Sequence, residues 1–423
     1  MTRESRLDFI QLLSEPSLRR LWLSGVAINI VRWLEILAFS IYVLEDTGSP
    51  FLVALTLFAR MAPLLLSANL ASVTGTIDRR ALLWGIMLTL AITDGALFLI
   101  SLLGHLDFRL VLVAAVIAGL AWTIENPLRR TMLAEGAGIE RLHVSMGLET
   151  LSNQSTRALG PAIGGLLVET IGISGVLAVG LLLHGSAFLA ICRLDSDHAG
   201  TRKIEGKGGP AGLREGLAFV LSSRLLRATM LVTLIFNLWA FPYVSLAPVI
   251  GERILGLSPT GIGLLMATEG LGGVCGAIMI MIAARARWFV PIYTFGAILF
   301  AFGTGCLGLI DQAWLAFLML FLAGLGIAGF NGMQSTIPLA ATPADLRVRV
   351  LGILTVCIGS APLGFLLAGL LAEWFGAATA QVMIGAQALA ALIAVVIFYP
   401  EMVRTGLVEP QHHRPETRAR GVI

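Results

Sequence analysis

Long apolar stretches alternate with short polar ones along the chain. A helix needs about 20 apolar residues to cross a hydrocarbon core about 30 Å thick. Stretches of that kind lie near 18–44, 50–73, 81–103, 107–128, 143–169, 172–192, 227–250, 259–283, 289–309, 311–337, 347–371 and 376–399. The pattern therefore predicts an all-α membrane protein with twelve transmembrane helices.

The longest polar interruption separates six predicted spans from six. Its first part, 193–210, carries Arg202, Lys203 and Lys207 among glycines and is typical of a flexible linker. The next part, 211–227, places on one helical face the residues Leu213, Leu217, Val220, Leu221 and Leu225, which indicates an interfacial helix. We predict an N-terminal bundle, a linker with this helix, a C-terminal bundle and a tail, at 1–192, 193–227, 228–399 and 400–423.

The two halves also share an internal repeat. Residues 118–131 align with 323–336, and GLLVETIG at 165–172 aligns with GLLAEWFG at 369–376, at nearly the same offset. Two parallel six-helix repeats around a central cavity are the architecture of one large class of secondary transporters. The repeat therefore predicts that architecture here.

The basic residues orient the chain. Arg32, Arg60 and Arg157 fall inside predicted spans, and the loops on one side carry only Arg109 and Arg253. All other basic residues fall in the N-terminal segment, every second loop and the tail. Because basic loops stay in the cytoplasm, both termini are predicted to be cytoplasmic. The excess of arginine over lysine favours a bacterial source, and we expect the inner membrane, with the first span as an uncleaved signal anchor.

Composition and motifs exclude several other functions. Hydrophobic residues make up 57% of the chain and charged residues 13%, as expected of a chain whose solvent is lipid. The basic residues are too dispersed for a nucleic-acid site. The four cysteines lack CxxC spacing, so we expect no disulfide framework and no metal. Without a Walker motif or a catalytic constellation, we expect neither a cofactor nor an enzyme.

Several motifs resemble the major facilitator superfamily. Its antiporter signature on span five is matched at all positions but one, where Thr156 replaces a glycine. The matching residues are Gly147, Gly160, Pro161, Gly164 and Gly165. The segments that resemble the branch of the enterobactin exporter and macrolide efflux proteins are 16–25, 47–50, 59–63, 127–130 and 157–165. The resemblance implies the major facilitator fold and antiport. We expect the glycines to serve as packing and hinge residues at a moving helix crossing.

One motif departs from the family pattern. The loop ASVTGTIDRR at 71–80 aligns with GxLADRxxRR, and Gly75 replaces the aspartate that latches the cytoplasmic gate in the family. Asp78, Arg79 and Arg80 remain as gate residues. Without this aspartate, the protein has either an altered preference between conformations or no transport activity, and the sequence is compatible with both.

Ionisable residues within the predicted spans are candidates for function, because each costs about 2.5–3.5 kcal/mol to insert at mid-bilayer. We predict proton coupling at Glu35, Glu269 or Asp94. The candidate cavity residues are Asn29, Arg32, Arg60, Arg157, Asn237, Asn331 and Gln334. Near the inner face, we expect Glu125 and Glu149 to pair with Arg129 or Arg130.

Structural alternatives stay open for these groups. Arg32 and Glu35 are three residues apart, so they can form an ion pair that lines the cavity or only holds the helix. Arg60 and Arg157 can brace the framework or attract an anionic substrate group. His184 on span six favours an interhelical hydrogen bond over a proton relay.

Taken together, the sequence predicts a secondary active transporter that exports a small amphipathic or anionic solute, siderophore-like or drug-like, in exchange for protons. Its expected partners are the bilayer, the solute and protons, and we expect a monomer. The alternative is a non-transporting assembly component or sensor that retains the fold.

The topology can be tested with single cysteines and an impermeant thiol reagent. In intact cells, cysteines placed at Asp46, Gly256 or Asp311 should react from outside. Cysteines in 193–210 or at the C-terminus should react only after the membrane is opened. Outside labelling of the linker in intact cells would overturn the orientation.

Overall fold

The computed structural model describes residues 14–66, 77–194, 210–343 and 346–408. Its secondary structure over these residues is helical throughout. The apolar helices are Pro16–Thr47, the shorter Pro50–Leu65, Arg79–Leu102, Phe108–Gly138, Val144–Cys192, Arg224–Arg253, Pro259–Ala283, Ala286–Leu309, Ala313–Ala341, Arg347–Phe375 and Ala377–Phe398. Ten of them are long and apolar enough to cross a membrane.

Two glycines divide the longest helical run. Gly138 and Gly172 have φ angles of 71° and 74°, in the left-handed region that glycine enters without a steric penalty. The break at Gly172 divides Val144–Cys192 into two spans, 144–171 and 173–192. With the shorter second helix this gives twelve spans over the described residues, numbered 1 to 12 below, which confirms the predicted fold class. The end of predicted span 2 and most of the gate loop, 67–76, lie outside the described residues.

Side-chain caps fix where several spans begin. Ser49, Asp78 and Ser258 each accept a hydrogen bond from a backbone N–H in the first turn of spans 2, 3 and 8. Such caps satisfy amide groups that have no partner within the helix. The gate residue Asp78 thus has a local structural role, in which its Oδ2 lies 2.9 Å from the amide nitrogen of Ala81.

A short helix, Pro210–Ser222, precedes span 7. Its Leu217 and Leu221 are exposed and its Val220 is buried. The apolar face predicted for this helix therefore lies partly at the surface of the protein and partly in its interior. Glu215 forms an ion pair with Arg349 on span 11. This contact fastens the helix to the C-terminal half.

The two halves meet along spans 5 and 8 and along spans 2 and 11. A Cβ atom on Gly165 would lie 2.2 Å from the carbonyl oxygen of Pro259, and one on Gly263 would lie 2.3 Å from that of Pro161. Spans 5 and 8 therefore touch backbone to backbone, which only glycine permits. Gly369 on span 11 is similarly close to span 2.

Polar contacts join the halves at the ends of the spans predicted to face outward. Ser258 and the backbone N–H of Thr260 donate to Glu169, at 2.7 and 2.9 Å. Ser49 donates to Glu373 at 2.9 Å, and Arg253 donates to the carbonyl of Gly48 at 2.6 Å. These contacts close the predicted outer end of the interface between the halves.

Three glycines of the antiporter signature, Gly160, Gly164 and Gly165, make the close packing expected of them, but against different helices. A Cβ atom on Gly160 would lie 2.6 Å from Trp33 Cβ, and one on Gly164 would lie 3.1 Å from the carbonyl oxygen of Leu34. Both glycines therefore face span 1 inside the same half. Only Gly165 contacts the opposite half, because successive helical residues point in different directions. Gly147 has open space around it.

We predict that Gly165→Leu stops transport, because a side chain there must push the two halves apart. Gly164→Leu should instead lower the free energy of unfolding, by about 1–3 kcal/mol, through overpacking within one half. Gly147→Leu is the control and should change neither property. Transport in vesicles and unfolding in detergent would separate the three outcomes. Normal transport by Gly165→Leu would show that the contact between spans 5 and 8 does not move.

Candidate functional site

One buried ion pair joins the two halves of the molecule. Arg157 on span 5 donates to both oxygens of Glu269 on span 8, with distances of 3.0 and 2.8 Å. Both side chains are buried. The Tyr243 hydroxyl lies beside the pair, and the guanidinium lies 4.9 Å from the centre of the Trp33 ring. A cation and a carboxylate from opposite halves therefore neutralise each other beside the aromatic rings of Tyr243 and Trp33.

A second buried pair differs from the expected one. Glu35 does not pair with Arg32; its Oε2 lies 2.9 Å from Arg60 Nη2 on span 2. The Arg32 guanidinium instead lies over the Trp122 ring, 3.9 Å from its centre. Helical spacing made the Arg32–Glu35 pair possible, but Arg60 competes for the carboxylate and Trp122 offers the displaced cation a π face.

Asp94 lies against this second pair. Its Oδ2 is 2.7 Å from His184 Nδ1, which joins spans 3 and 6 and confirms the interhelical hydrogen bond expected of His184. Asp94 also lies beside Glu35. Gly180 makes room for the carboxylate, since a Cβ atom there would lie 2.6 Å from Oδ2. We call Glu35, Arg60, Asp94 and His184 the acid cluster.

A third set of charges lies toward the predicted inner face, and we call Glu125, Arg129 and Glu149 the inner arginine network. Arg129 donates to Glu125 one turn earlier and to both oxygens of Glu149, the latter at 2.7 and 2.9 Å. This confirms the expected pairing of these carboxylates with Arg129. The Arg129 guanidinium lies directly against Gly25 of span 1. The half-exposed Arg130 is 3.9 Å from Glu149.

The inner arginine network and the gate-motif arginines make contacts within one half. Arg79 pairs with Glu135 at 2.7 Å, and Arg80 donates to the backbone carbonyl of Cys192. Like the network, these contacts brace the N-terminal bundle. The described residues thus show Glu125, Glu149 and these arginines holding spans 1, 3, 4, 5 and 6 together.

The predicted amides are not gathered into one site. Asn29 is buried, and Asn237 is buried and donates to the carbonyl of Thr233 on its own helix at 2.9 Å. Asn331 is exposed and Gln334 is half-buried. Asn237, Asn331 and Gln334 are therefore not part of the buried charge clusters. Tyr243, Trp33 and Trp122 are not among the residues predicted from the sequence; the signal that indicates them is an aromatic residue on a span close to a buried arginine.

The described residues contain no group of three or more His, Cys, Asp or Glu side chains placed to hold a metal ion. The charges at the site can attract, exchange and neutralise one another. One of the resulting ion pairs, between Arg157 and Glu269, lies at the boundary between the two halves, and the others lie within the N-terminal half.

Comparison with known families gives one match that covers nearly the whole chain. The sequence model of the transmembrane secretion effector family matches residues 10–419. Among curated proteins, the chain is similar to multidrug efflux pumps named Tap. It is 27% identical to that of Mycolicibacterium fortuitum over 365 residues, covering 81% of this chain and 86% of the pump. It is also 27% identical to that of Mycobacterium tuberculosis H37Rv over 364 residues, covering 81% and 84%.

Solved structures with the same fold are transporters. A nucleoside transporter, NupG, superposes with a TM-score of 0.71 at 11% identity, covering 91% of this chain and 99% of that one. A bacterial homologue of the human lysosomal transporter Spinster, inward-facing and unoccupied, gives a TM-score of 0.66 at 13% identity and covers 95% and 97%. At these identities the likeness establishes the fold alone.

The ion pair between Arg157 and Glu269 should be energetically coupled. Arg157→Met leaves a buried carboxylate without its partner and should lower the free energy of unfolding by about 3–5 kcal/mol. Adding Glu269→Gln removes that unpaired charge and should recover most of the loss. Reversible unfolding of the four proteins in detergent gives the coupling free energy. Strictly additive effects would show that the two side chains do not interact.

Proposed function

The chain belongs to the transmembrane secretion effector family, and we propose that it exports small amphipathic, drug-like solutes from the cytoplasm in exchange for protons. Its major facilitator fold is that of a secondary transporter, and its similarity to multidrug efflux pumps supports the direction of transport and the class of solute. We place it in the bacterial inner membrane with both termini in the cytoplasm, as the distribution of basic residues predicts.

The acid cluster is the observation that carries proton coupling. Glu35 and Asp94 are two neighbouring buried carboxylates, and Arg60 supplies one permanent positive charge. With His184 neutral, one carboxylate of the cluster has no cation within the cluster, so it can bind a proton without leaving an unpaired positive charge there. Such a group can load a proton on one side of the membrane and release it on the other.

Alternating access would expose the site to each side of the membrane in turn. The halves touch closely along spans 5 and 8 and are linked at their predicted outer ends by Glu169, Glu373 and Arg253. In the cycle we propose, these outer links open to release the solute while the inner ends approach each other. The ion pair between Arg157 and Glu269 lies on that moving boundary, and Glu269 is the second candidate for coupling.

The solute is better described as amphipathic than as an organic anion. The preference for an anion depended on three arginines near mid-bilayer, yet Arg60 and Arg157 are each paired with a glutamate. Trp33, Phe241 and Tyr243 surround the pair between the halves with aromatic surface. An apolar solute with one charged end can pack against these rings and compete for one member of the ion pair.

The proposal can be tested with purified protein in vesicles and the dyes ethidium, Nile red and carboxyfluorescein. Glu35→Gln and Asp94→Asn should each reduce dye export driven by a pH gradient to background, because they remove the exchangeable proton. Both should still exchange dye for dye without a gradient. Glu45→Gln, at the exposed outer end of the same span as Glu35, is the control and should retain gradient-driven export.

Two results would contradict the proposal. If the wild-type protein transports none of the dyes under any gradient, the chain is better explained as a non-transporting assembly component or sensor. If Glu35→Gln and Asp94→Asn both keep normal gradient-driven export, the acid cluster does not couple transport to protons.

A further inference from the structure

A narrow pocket lies inside the N-terminal half, between the acid cluster and the inner arginine network. Ile28, Arg32 and Glu35 line it from span 1, and Ala118, Ala121, Trp122 and Glu125 line it from span 4, with Arg60, Leu90 and His184 closing the other sides. On each of spans 1 and 4 the lining extends over eight residues, and the seven steps between the first and the last rise about 10 Å at 1.5 Å per residue. The pocket has room for about one water molecule.

Buried polar atoms on the residues around this pocket lack partners among the described residues. They are Arg60 Nη1, Trp122 Nε1 and Glu125 Oε2. The first two are donors and the third is an acceptor. A buried donor or acceptor without a partner is costly, and buried water commonly satisfies such groups by making about three hydrogen bonds. The chemistry of this wall is therefore that of a water site.

Charge balance singles out Glu125 among the inner carboxylates. Glu125 and Glu149 share one fully buried cation, Arg129; the further cations are the half-exposed Arg130, 3.9 Å from Glu149, and Arg32, which lines the pocket with Glu125. Glu149 already holds Arg129 through both oxygens. Protonation of Glu125 would therefore leave Arg129 paired. Glu125 is also the only one of the two that lines the pocket.

We propose that this pocket is a proton-transfer site, in which one bound water connects the acid cluster to Glu125. This inference rests on the proposed function, since it specifies the route that the coupling proton takes. The route runs within the N-terminal half through spans 1, 2, 4 and 6. It is thus separate from the boundary between the halves, where the solute is proposed to bind.

The proton balance is simple. Protonated Glu35 gives its proton to the water, and the water gives one of its own protons to the Glu125 carboxylate. Glu35 ends ionised beside Arg60, Glu125 ends neutral, and the water is restored. His184 lines the same pocket and is held at Nδ1 by Asp94, so it is a fixed part of the wall. Arg32, stacked on Trp122, supplies a positive charge in the wall throughout.

The experiment compares two substitutions that remove one carboxylate each from Arg129. Glu125→Gln should abolish dye export driven by a pH gradient and preserve dye-for-dye exchange. Glu149→Gln should lower the amount of folded protein but keep the gradient response per folded molecule. If Glu125 has only a structural role, the two variants will behave alike and both will remain coupled to the gradient.

A second pair of variants tests the water itself. Ala121→Val fills the pocket and should reduce gradient-driven export far more than dye exchange. Ala114→Val adds the same bulk to a buried position of span 4 away from the pocket, against Phe39 and Leu97, and should affect both activities equally. Normal gradient-driven export by either Ala121→Val or Glu125→Gln would overturn the inference that a water in this pocket carries the proton to Glu125.

These outcomes are distinct from failure of the proposed function. If the wild-type protein does not respond to a pH gradient, proton coupling itself is wrong. If the wild-type protein responds and Glu35→Gln does not, while Glu125→Gln responds normally, coupling is retained and only this route is refuted.

Discussion

A charge inside a bilayer must be neutralised, and this constraint organises the molecule. The buried carboxylates of the described residues, with Arg60, Arg129 and Arg157, form three groups: the acid cluster, the inner arginine network and the ion pair between Arg157 and Glu269. Breaking any of these would leave an uncompensated charge in a medium of low dielectric constant. Each group is therefore either permanent or changes only by exchanging a proton or a counter-charge.

The three groups differ in what they join. In the inner arginine network, Arg129 lies against Gly25 and is held by both oxygens of Glu149, which suits a permanent brace, whereas Glu125 is the proposed proton acceptor. The pair between Arg157 and Glu269 crosses between halves whose backbones touch at Gly165, so it lies at the boundary that moves in the proposed cycle. The acid cluster has one carboxylate more than its permanent cation balances, which suits reversible protonation. Structural, mechanical and chemical roles are thus assigned to different charges.

The sequence predicted the fold well, because crossing a bilayer requires a helix of nearly fixed length with an apolar surface. Span number and the pairing of Arg129 with Glu125 both follow from distances along a single helix. The structure differs where several helices compete for one group. Glu35 pairs with Arg60 on span 2, although helical spacing favoured Arg32. Gly160 faces span 1, and the motif could not predict this because it does not specify how the helix is rotated within the bundle. Asp94 lies in a buried cluster because His184 approaches from another span.

Coupled flux tests the central claim most directly. Protein-containing vesicles clamped at zero membrane potential would be loaded with a transported dye, and dye and proton movements would be recorded together while the pH gradient is varied. The account predicts that dye and protons move in opposite directions in a fixed ratio. It also predicts that the direction of dye flow reverses once the pH gradient exceeds the value at which it balances the dye concentration gradient. Dye movement that ignores the pH gradient and carries no protons would contradict it.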